Sequence, residues 1–275
     1  MFDWIKSMLM KRKSIENTES RRKPAGKNRK IRLSPVTLSE YAGLRYLHFG
    51  TPWVQGAMRI SRPNQLVLSY SHKMVAWMLF RQKPEQIAHL GLGSASLTKF
   101  CYHHFPESET HVAEINPDVI NICHSMFELP PDDERLHVHQ MNALDFVKDE
   151  QYTAKFDIMH VDLYDADARG PVLDTPEFYA DCSRCLKDDG IMAVNLFGDV
   201  PSYGKNIKAI KQSFMEVMAL SPVPEGNIIV LAFKKRPFID IDVCDAEADR
   251  IKAATNLPTR GWIKDLKKII KLQKA

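Results

Sequence analysis

The sequence predicts an α/β fold built on a doubly wound, mostly parallel sheet, and two observations carry this prediction. Short apolar segments typical of buried strands alternate with amphipathic helical segments from residue 86 to residue 233. The 275 residues are 44% hydrophobic, which is enough to cover both faces of such a sheet. The longest apolar runs, 74–80 and 228–233, are far shorter than the roughly 20 residues of a membrane helix, so no membrane span is expected.

Strands and helices follow one another in a regular order. The predicted strands cover 87–92, 111–115, 136–140, 156–161, 190–196 and 227–233. The helices predicted between them cover 97–104, 117–127, 176–186 and 205–220. A turn at Pro224-Glu225-Gly226 comes directly before the last strand, so this strand is expected to form a hairpin and to run antiparallel.

The chain is expected to divide into four segments. The first is rich in Lys, Arg, Ser and Asn and is predicted to be disordered. The second contains β-like pieces at 44–49 and 54–60 and a helical pattern over 66–79. In order, the segments are a basic arm (1–33), a small β-hairpin domain with a connecting helix (34–80), the α/β domain (81–244) and a C-terminal helical tail (245–275).

Charge is distributed unevenly along the chain. The formal net charge is +4, yet residues 1–33 hold 11 basic against 3 acidic residues, and residues 260–275 hold 6 against 1. The body from 34 to 259 therefore carries 21 basic and 30 acidic residues, a net of −9. This body favours a cationic small ligand over nucleic acid, although an acidic surface that maintains solubility is the alternative.

The five cysteines are odd in number and irregularly spaced, which favours a reducing compartment, the cytoplasm, over a disulfide framework. Cys182 and Cys185 form a lone C-x-x-C on a predicted helix, where positions three apart share a face. His137 and His139 share a strand face, but no carboxylate or cysteine is arranged with them in the sequence. No metal site is predicted.

The ends of the first two strands carry residues suited to a nucleotide. Gly91-Leu-Gly93-Ser94-Ala-Ser96 follows the first strand, where small residues let the backbone approach a ligand and expose helix N-terminal amides. Glu114 follows the second strand, 23 residues after Gly91, where a carboxylate can accept both hydroxyl protons of a ribose. The alternative is that Glu114 caps the following helix.

The ends of the third and fourth strands carry further polar groups. Asn142 or Asp145 can accept a hydrogen bond from an adenine amino group, although Asp145 is equally suited to capping a helix. Asp162, Asp165 and Asp167 follow the fourth, apolar strand, and such a cluster is costly unless a cation joins it. A polyamine, another ammonium group or a metal would fit, and an acidic surface loop is the alternative.

Together these motifs resemble the spermidine synthase family of polyamine aminopropyltransferases, over about 36–234. The resemblance rests on the small β-domain, the nucleotide fold and the signature Asp162-x-x-Asp165, Gly170-Pro171 and Phe178-Tyr179. It implies a sheet of the class I methyltransferase type, a nucleotide-binding domain over 81–244 and a homodimer. It also implies decarboxylated S-adenosylmethionine as co-substrate, with no permanently bound cofactor, and a cationic amine as acceptor.

The resemblance also implies a role for each site residue. Asp162 corresponds to the general base, Asp165 to the carboxylate that binds the acceptor amine, and Glu114 to the ribose ligand. The other implied donor ligands are Gly91 and Gly93 against the methionine-derived group and Asn142 at the adenine, while Gln55 and Tyr70 close the site. The chain departs from the family pattern at Ser94, where the family has an aspartate for the aminopropyl ammonium, and at Val223, where it has an amine-contacting tyrosine.

The sequence thus predicts an aminopropyltransferase that acts on a di- or polyamine. Two alternatives stay open from the residues alone. One is an S-adenosylmethionine-dependent methyltransferase, which Ser94 favours because the charge anchor for a decarboxylated donor is absent. The other is a non-catalytic nucleoside-binding protein of the same fold.

Overall fold

Two sheets organise the computed structural model, which describes residues 33–165, 170–197 and 200–273. A three-stranded antiparallel sheet has the order β1-β2-β3, and a seven-stranded sheet has the order β6-β5-β4-β7-β8-β10-β9. The strands are β1 (Val36–Tyr41), β2 (Leu44–Phe49), β3 (Gly56–Arg59), β4 (Gln86–Leu90), β5 (Glu109–Glu114), β6 (Leu136–Gln140), β7 (Phe156–Val161), β8 (Leu186–Leu196), β9 (Glu216–Ala219) and β10 (Ile228–Phe233). The predicted basic arm lies, apart from Leu33, outside the described residues.

Helices connect and cover the strands of the large sheet. They are α1 (Ser69–Met74), α2 (Ser96–His104), α3 (Pro117–Met126), α4 (Ala143–Lys148), α5 (Pro176–Cys185), α6 (Val200–Ile210), α7 (Ile241–Thr255) and α8 (Arg260–Gln273), with short 3-10 turns at Ala76–Leu79 and Glu150–Tyr152. None of these helices in the described part of the chain is long and apolar enough to cross a membrane.

The sheet topology confirms the predicted doubly wound α/β class. β4 pairs in parallel with both β5 and β7, so the direction of winding reverses at the centre of the sheet. β10 pairs antiparallel with both β8 and β9, as the turn at Pro224-Glu225-Gly226 predicts. In open α/β sheets, ligands bind at the carboxyl ends of the strands where the winding reverses, so a site is expected at the ends of β4, β5 and β7.

The structure corrects one predicted helix and adds elements that the periodicity did not reveal. The helix predicted over 205–220 is wrong in its second half, because α6 ends at Ile210 and β9 begins at Glu216. β9 is a four-residue edge strand held by β10, and a segment that short carries too little periodicity to distinguish it from a helix end. β1 and α4 were also missed, and both are only six residues long.

Separate apolar clusters cover the faces of the large sheet. On one face, α1, α2, α7 and α8 pack on strand residues such as Ile158, and the largest contributors are Trp77 and Trp262. On the other face, α4, α5 and α6 pack on residues such as Met159 and Val194. A third cluster joins the small sheet to the loop after β4 and includes Leu47, Met58, Leu92 and Phe127. The small sheet is thereby fixed against the end of β4.

All five cysteines lie in the described residues, where each is buried and free. Cys182 and Cys185 lie on the buried face of α5, in the positions expected of a helix face that packs on the sheet. Burial raises the pKa of both thiols, which makes them unreactive core residues.

Two histidines are buried inside the apolar face that α1 covers. His89 and His160 are each 1% exposed, and their rings stack with centroids 4.7 Å apart. The Trp77 indole N–H donates to His160 Nε2 at 2.8 Å, so this nitrogen carries no proton in the native state. Burial lowers the pKa of His160 to about 3 and that of His89 well below its usual value. Both side chains are neutral core residues.

These histidines make the fold sensitive to acid. Because their native pKa values are lowered, the unfolded chain binds more protons as the pH falls below about 6.5, and stability is lost from there towards pH 3. In His160→Gln, whose amide oxygen can accept the Trp77 N–H, we expect the slope of unfolding free energy against pH to fall by up to about 1.4 kcal/mol per pH unit. Urea unfolding between pH 4 and 7 measures this slope. The control is the exposed His124→Gln, and equal slopes in both variants would contradict the assignment.

Candidate active site

The carboxyl ends of β4, β5 and β7 meet at one edge of the large sheet. The loop after β4 is tied to both neighbours, because the Asp162 N–H donates to the Leu90 carbonyl at 3.0 Å and the Gly91 N–H donates to the Ala113 carbonyl at 2.9 Å. Glu114 and Asp162 therefore lie on either side of Gly91. Three of the sequence-predicted positions are thus brought together by strand pairing alone.

Asp162 is held by two side-chain donors. Asn195 Nδ2 donates to Asp162 Oδ1 at 2.9 Å, and the Tyr70 hydroxyl donates to Oδ2 at 3.2 Å. Burial raises the pKa of Asp162, and the two hydrogen bonds act in the opposite direction by stabilising the carboxylate. A carboxylate whose pKa is raised accepts a proton more readily than a solvated one, which suits it to the work of a base.

A second layer of polar groups fixes Asn195, and sequence reasoning missed it. Asn227 Nδ2 donates to Asn195 Oδ1 at 2.9 Å, and the Tyr164 hydroxyl donates to the Asn195 backbone carbonyl at 2.9 Å. With its oxygen occupied in this way, the Asn195 amide must present its N–H groups to Asp162. The signal in the sequence was a single asparagine within an apolar run, since Asn195 is 1% exposed in β8.

The loop after β4 depends on glycine at two positions. Gly91 has φ +94°, and a Cβ there would lie 2.4 Å from the Asp162 carbonyl oxygen. Gly93 has φ +53°, and its carbonyl accepts a hydrogen bond from Cys123 Sγ at 3.1 Å. Ser94 is buried, and its hydroxyl lies 2.9 Å from that of Ser96 at the start of α2. Gly91 is what lets the loop approach Asp162 so closely.

The small sheet contributes to the same edge. Gln55, directly before β3, donates from Nε2 to the Asp165 backbone carbonyl at 3.1 Å. Next to it, a Cβ on Gly56 would lie 2.4 Å from the Ser94 hydroxyl oxygen, so this backbone packs directly on the loop after β4. The structure thus places Gln55 beside the segment that follows Asp162.

Glu114 is 8% exposed, and its carboxylate accepts hydrogen bonds from two backbone N–H groups, one in the loop after β4 and one at the start of α3. Its Oε2 accepts from the Leu92 N–H at 3.1 Å and its Oε1 accepts from the Asn116 N–H at 2.8 Å. Burial raises the pKa of Glu114 and these N–H groups oppose the rise. Asn116 itself caps α3 by accepting from the Asp118 N–H, so Glu114 orients the cap without being the cap. Each Glu114 oxygen keeps a second lone pair for a ligand hydroxyl.

Asn142 and Asp145 both belong to the start of α4. Asn142 is the N-cap, and its Oδ1 accepts from the Leu144 N–H at 2.9 Å. Asp145 is exposed in the first turn of the same helix, where a carboxylate interacts favourably with the helix dipole. The capping alternative thus describes what both residues do structurally. Their position after β6 leaves them at the same edge of the sheet as Glu114.

Asp165 lies three residues after Asp162 and is exposed. The structure places its backbone carbonyl against Gln55, while Asp167 lies outside the described residues. A carboxylate in water interacts more weakly with a cation than a buried one does, because solvent screens the pair.

Two groups of side chains have the composition of a metal site. His89, Cys101 and His160 are close together, but Trp77 occupies Nε2 of His160, so the other ring nitrogen must carry the proton and cannot bind a metal. Glu109, His111 and His137 converge at the opposite edge of the sheet.

There the Lys155 ammonium already supplies a cation to the cluster. Lys155 Nζ lies 2.8 Å from His111 Nε2 and 3.5 Å from Glu109 Oε1. A cation of the chain itself therefore lies beside the Glu109 carboxylate and the His111 ring.

The strand order, the glycine loop and the acid after β5 define an α/β fold of the class I methyltransferase type, with a partly buried aspartate at its switch point. The spermine/spermidine synthase domain matches residues 68–237. The polyamine aminopropyltransferase of Neisseria meningitidis serogroup A is 31% identical over 84% of this chain and 89% of its own length. That of Chromobacterium violaceum is 28% identical over the same shares. The chain belongs to the spermine/spermidine synthase family, and the predicted family and transferase class are confirmed.

Solved structures agree on the fold. A probable spermidine synthase from Corynebacterium glutamicum superposes with a TM-score of 0.67 at 19% identity, covering 84% of this chain and 87% of that one. Human methyltransferase-like protein 13, in complex with SAH, gives 0.58 at 19% identity over 68% and 93%. Both transferase types share this sheet, so the match to the aminopropyltransferase sequences is what distinguishes between them.

The close approach at Gly91 gives a test of the site's construction. We expect Gly91→Ala to lower the free energy of unfolding by about 1–3 kcal/mol, because φ is positive there and the Cβ meets the Asp162 carbonyl. Denaturant unfolding measures the loss. The matched control is Gly204→Ala in α6, where a Cβ meets nothing within 4 Å and a gain of about 0.5–1 kcal/mol is expected. A Gly91→Ala protein as stable as wild type would show that the loop does not need this glycine.

Proposed function

We propose that this chain transfers the aminopropyl group of decarboxylated S-adenosylmethionine to a di- or polyamine. The observation that carries the proposal is the partly buried Asp162 carboxylate, held by Asn195 and Tyr70 at the switch point of the sheet. The identity to polyamine aminopropyltransferases over most of the chain supports it. Asp162 has a raised pKa and lies beside the glycine loop, and it is held by side-chain donors, whereas both oxygens of the neighbouring Glu114 accept backbone N–H groups.

The donor is proposed to lie along the ends of β4, β5 and β6. Gly91, Gly93 and Ser94 would face its methionine-derived part, since the backbone there leaves room for a ligand. Glu114 would accept the ribose hydroxyl protons with the lone pairs that its backbone contacts leave available. Asn142 or Asp145, at the start of α4, would face the adenine amino group.

The chemistry follows from the charges of the two substrates. At neutral pH the acceptor is mostly an ammonium ion and has no lone pair, so a base must first remove a proton. Asp162 takes that proton, and the freed nitrogen forms a bond to the propyl carbon of the donor. The C–S bond breaks, its electron pair stays on sulfur, and the sulfonium leaves as neutral methylthioadenosine. Holding nitrogen, carbon and sulfur in line supplies much of the remaining acceleration.

Closing the site is proposed to depend on Gln55 and Tyr70, with Asp165 facing the acceptor. Gln55 ties the small sheet to the segment after Asp162, and Tyr70 holds the Asp162 carboxylate from the side of α1. We further propose that the enzyme is a cytoplasmic homodimer with a cationic small-molecule amine as its partner. The free, buried cysteines are consistent with a reducing compartment, and light scattering on the purified protein measures the oligomeric state.

Asp162→Asn tests the proposed base. We expect methylthioadenosine formation from the decarboxylated donor and a diamine to fall by about 10²–10⁴-fold, because the amide cannot accept the proton. Mass spectrometry follows the product, and calorimetry with each donor shows whether the decarboxylated or the intact form binds. The control is the exposed Asp188→Asn. S-adenosylhomocysteine as the product from the intact donor would instead identify a methyltransferase.

The pH dependence tests the environment of the same carboxylate. Asp162 acts as a base only when deprotonated, so kcat/KM falls as the pH drops through its raised pKa. The Tyr70 hydroxyl lowers that pKa, so we expect Tyr70→Phe to move the acid limb of kcat/KM to higher pH. Tyr102→Phe removes an exposed tyrosine–aspartate hydrogen bond outside the site and serves as the matched control. An acid limb that stays in place in Tyr70→Phe would contradict the role of Asp162.

A further inference from the structure

Glu225 lies in the turn that joins β9 to β10. The turn is closed by hydrogen bonds from the Gly226 N–H to the Val223 carbonyl and from the Val223 N–H to the Asn227 carbonyl, both 2.9 Å. Glu225 Oε1 accepts from the Ser69 hydroxyl at 2.9 Å. The next residue of α1 is Tyr70, which donates to Asp162, so one contact path joins Glu225 to the proposed base.

A second path joins the same turn to the other side of Asp162. Asn227, two residues after Glu225, donates to Asn195, and Asn195 donates to Asp162 Oδ1. The turn and Asp162 are therefore connected through both oxygens of the Asp162 carboxylate. Both paths place Glu225 close to the residues that hold the Asp162 carboxylate.

The two carboxylates act on a common group. Burial raises the pKa of Tyr70 well above its usual value, and the charges of Asp162 and of Glu225 raise it further. This is the expected result when both acids lie near one phenol.

Glu225 has an oxygen that the described residues leave unpaired. Oε1 is bound to Ser69, whereas Oε2 is buried and has no hydrogen-bond partner among the residues that the structure describes. A buried polar atom without a partner costs free energy, and a charged one costs more. An ammonium group bound beside this oxygen would satisfy it and neutralise the charge.

We propose that Glu225 binds the distal ammonium of a di- or polyamine acceptor while Asp162 deprotonates the reacting amine. The inference rests on the proposed aminopropyl transfer. The Glu225 carboxylate supplies the acceptor, because Oε1 is bound to Ser69 while Oε2 has no partner among the described residues. Because it is partly buried, it holds an ammonium more strongly than the exposed Asp165 can.

Glu225→Gln is the test variant, because the amide oxygen can still accept from Ser69 while the negative charge is lost. The assay compares 1,4-diaminobutane with 1-aminobutane as acceptors for the decarboxylated donor. We expect kcat/KM for the diamine to fall about 10–100-fold, whereas the value for the monoamine, which has no distal ammonium, stays within about twofold. Donor affinity from calorimetry is expected to be unchanged. Glu107→Gln, an exposed residue in the loop before β5, is the matched control.

The outcomes separate this inference from the proposed function. A wild-type enzyme that forms methylthioadenosine, with a Glu225→Gln variant that keeps the full preference for the diamine, would overturn the role of Glu225 and leave the function standing. A wild-type enzyme that forms no methylthioadenosine would overturn the function. In that case calorimetry of 1,4-diaminobutane decides the inference, since binding that is equal or absent in both proteins contradicts it and binding lost in Glu225→Gln supports it.

Discussion

Partial burial of one carboxylate, that of Asp162, requires hydrogen-bond donors from several elements at this edge of the structure. Asp162 follows a strand whose six residues are all buried, and Asp162 itself is partly buried, so its side chain has limited access to water. An ionised carboxylate in such a place needs hydrogen-bond donors. Asn195 and Tyr70 supply them, and each comes from a different element, β8 and α1. Asn227 then fixes the orientation of Asn195. Each of these polar contacts constrains how the elements meet, so the requirements of one charge help to position the strands and the turn around it.

The backbone of the loop after β4 lies directly against Asp162. Gly91 has a positive φ, and a Cβ at this position would lie 2.4 Å from the Asp162 carbonyl oxygen. The loop therefore lies closer to the proposed base than a residue with a side chain would allow. Glu114 binds the Leu92 N–H from the neighbouring strand end and holds the loop on its other side. Strand pairing therefore positions Glu114 and Asp162, and Gly91 allows the loop to lie close to Asp162. Groups that must move a proton in a defined geometry benefit from this kind of support.

Strand periodicity and position in the chain made most of the fold and part of the site predictable. The buried strands are nearly continuous apolar runs, and their carboxyl ends must meet, so Glu114 and Asp162 could be assigned to one edge without coordinates. Short elements such as β9 could not be predicted from the sequence, because their formation depends on a partner strand more than on their own hydrophobic pattern. The contact between Ser69 and Glu225 could not be predicted either, because it joins residues 156 positions apart and no local sequence pattern encodes such a pair. The role of Asn195 escaped for the same reason.

The acidic body of the chain suggested a cationic ligand, and the structure shows why net charge alone was a weak guide. Most of the excess charge is spread over solvated surface, where salt and water screen it within about 10 Å. A carboxylate removed from water acts differently, because the lower effective dielectric strengthens its interaction with a nearby cation. Asp162 and Glu225 share the surroundings of Tyr70 and are joined to each other by two contact paths. In the proposed arrangement these two acids would each bind one positive charge of the acceptor. The specificity of such a site therefore follows from the placement of a few desolvated groups, whereas the total charge of the chain contributes mainly to attraction at long range.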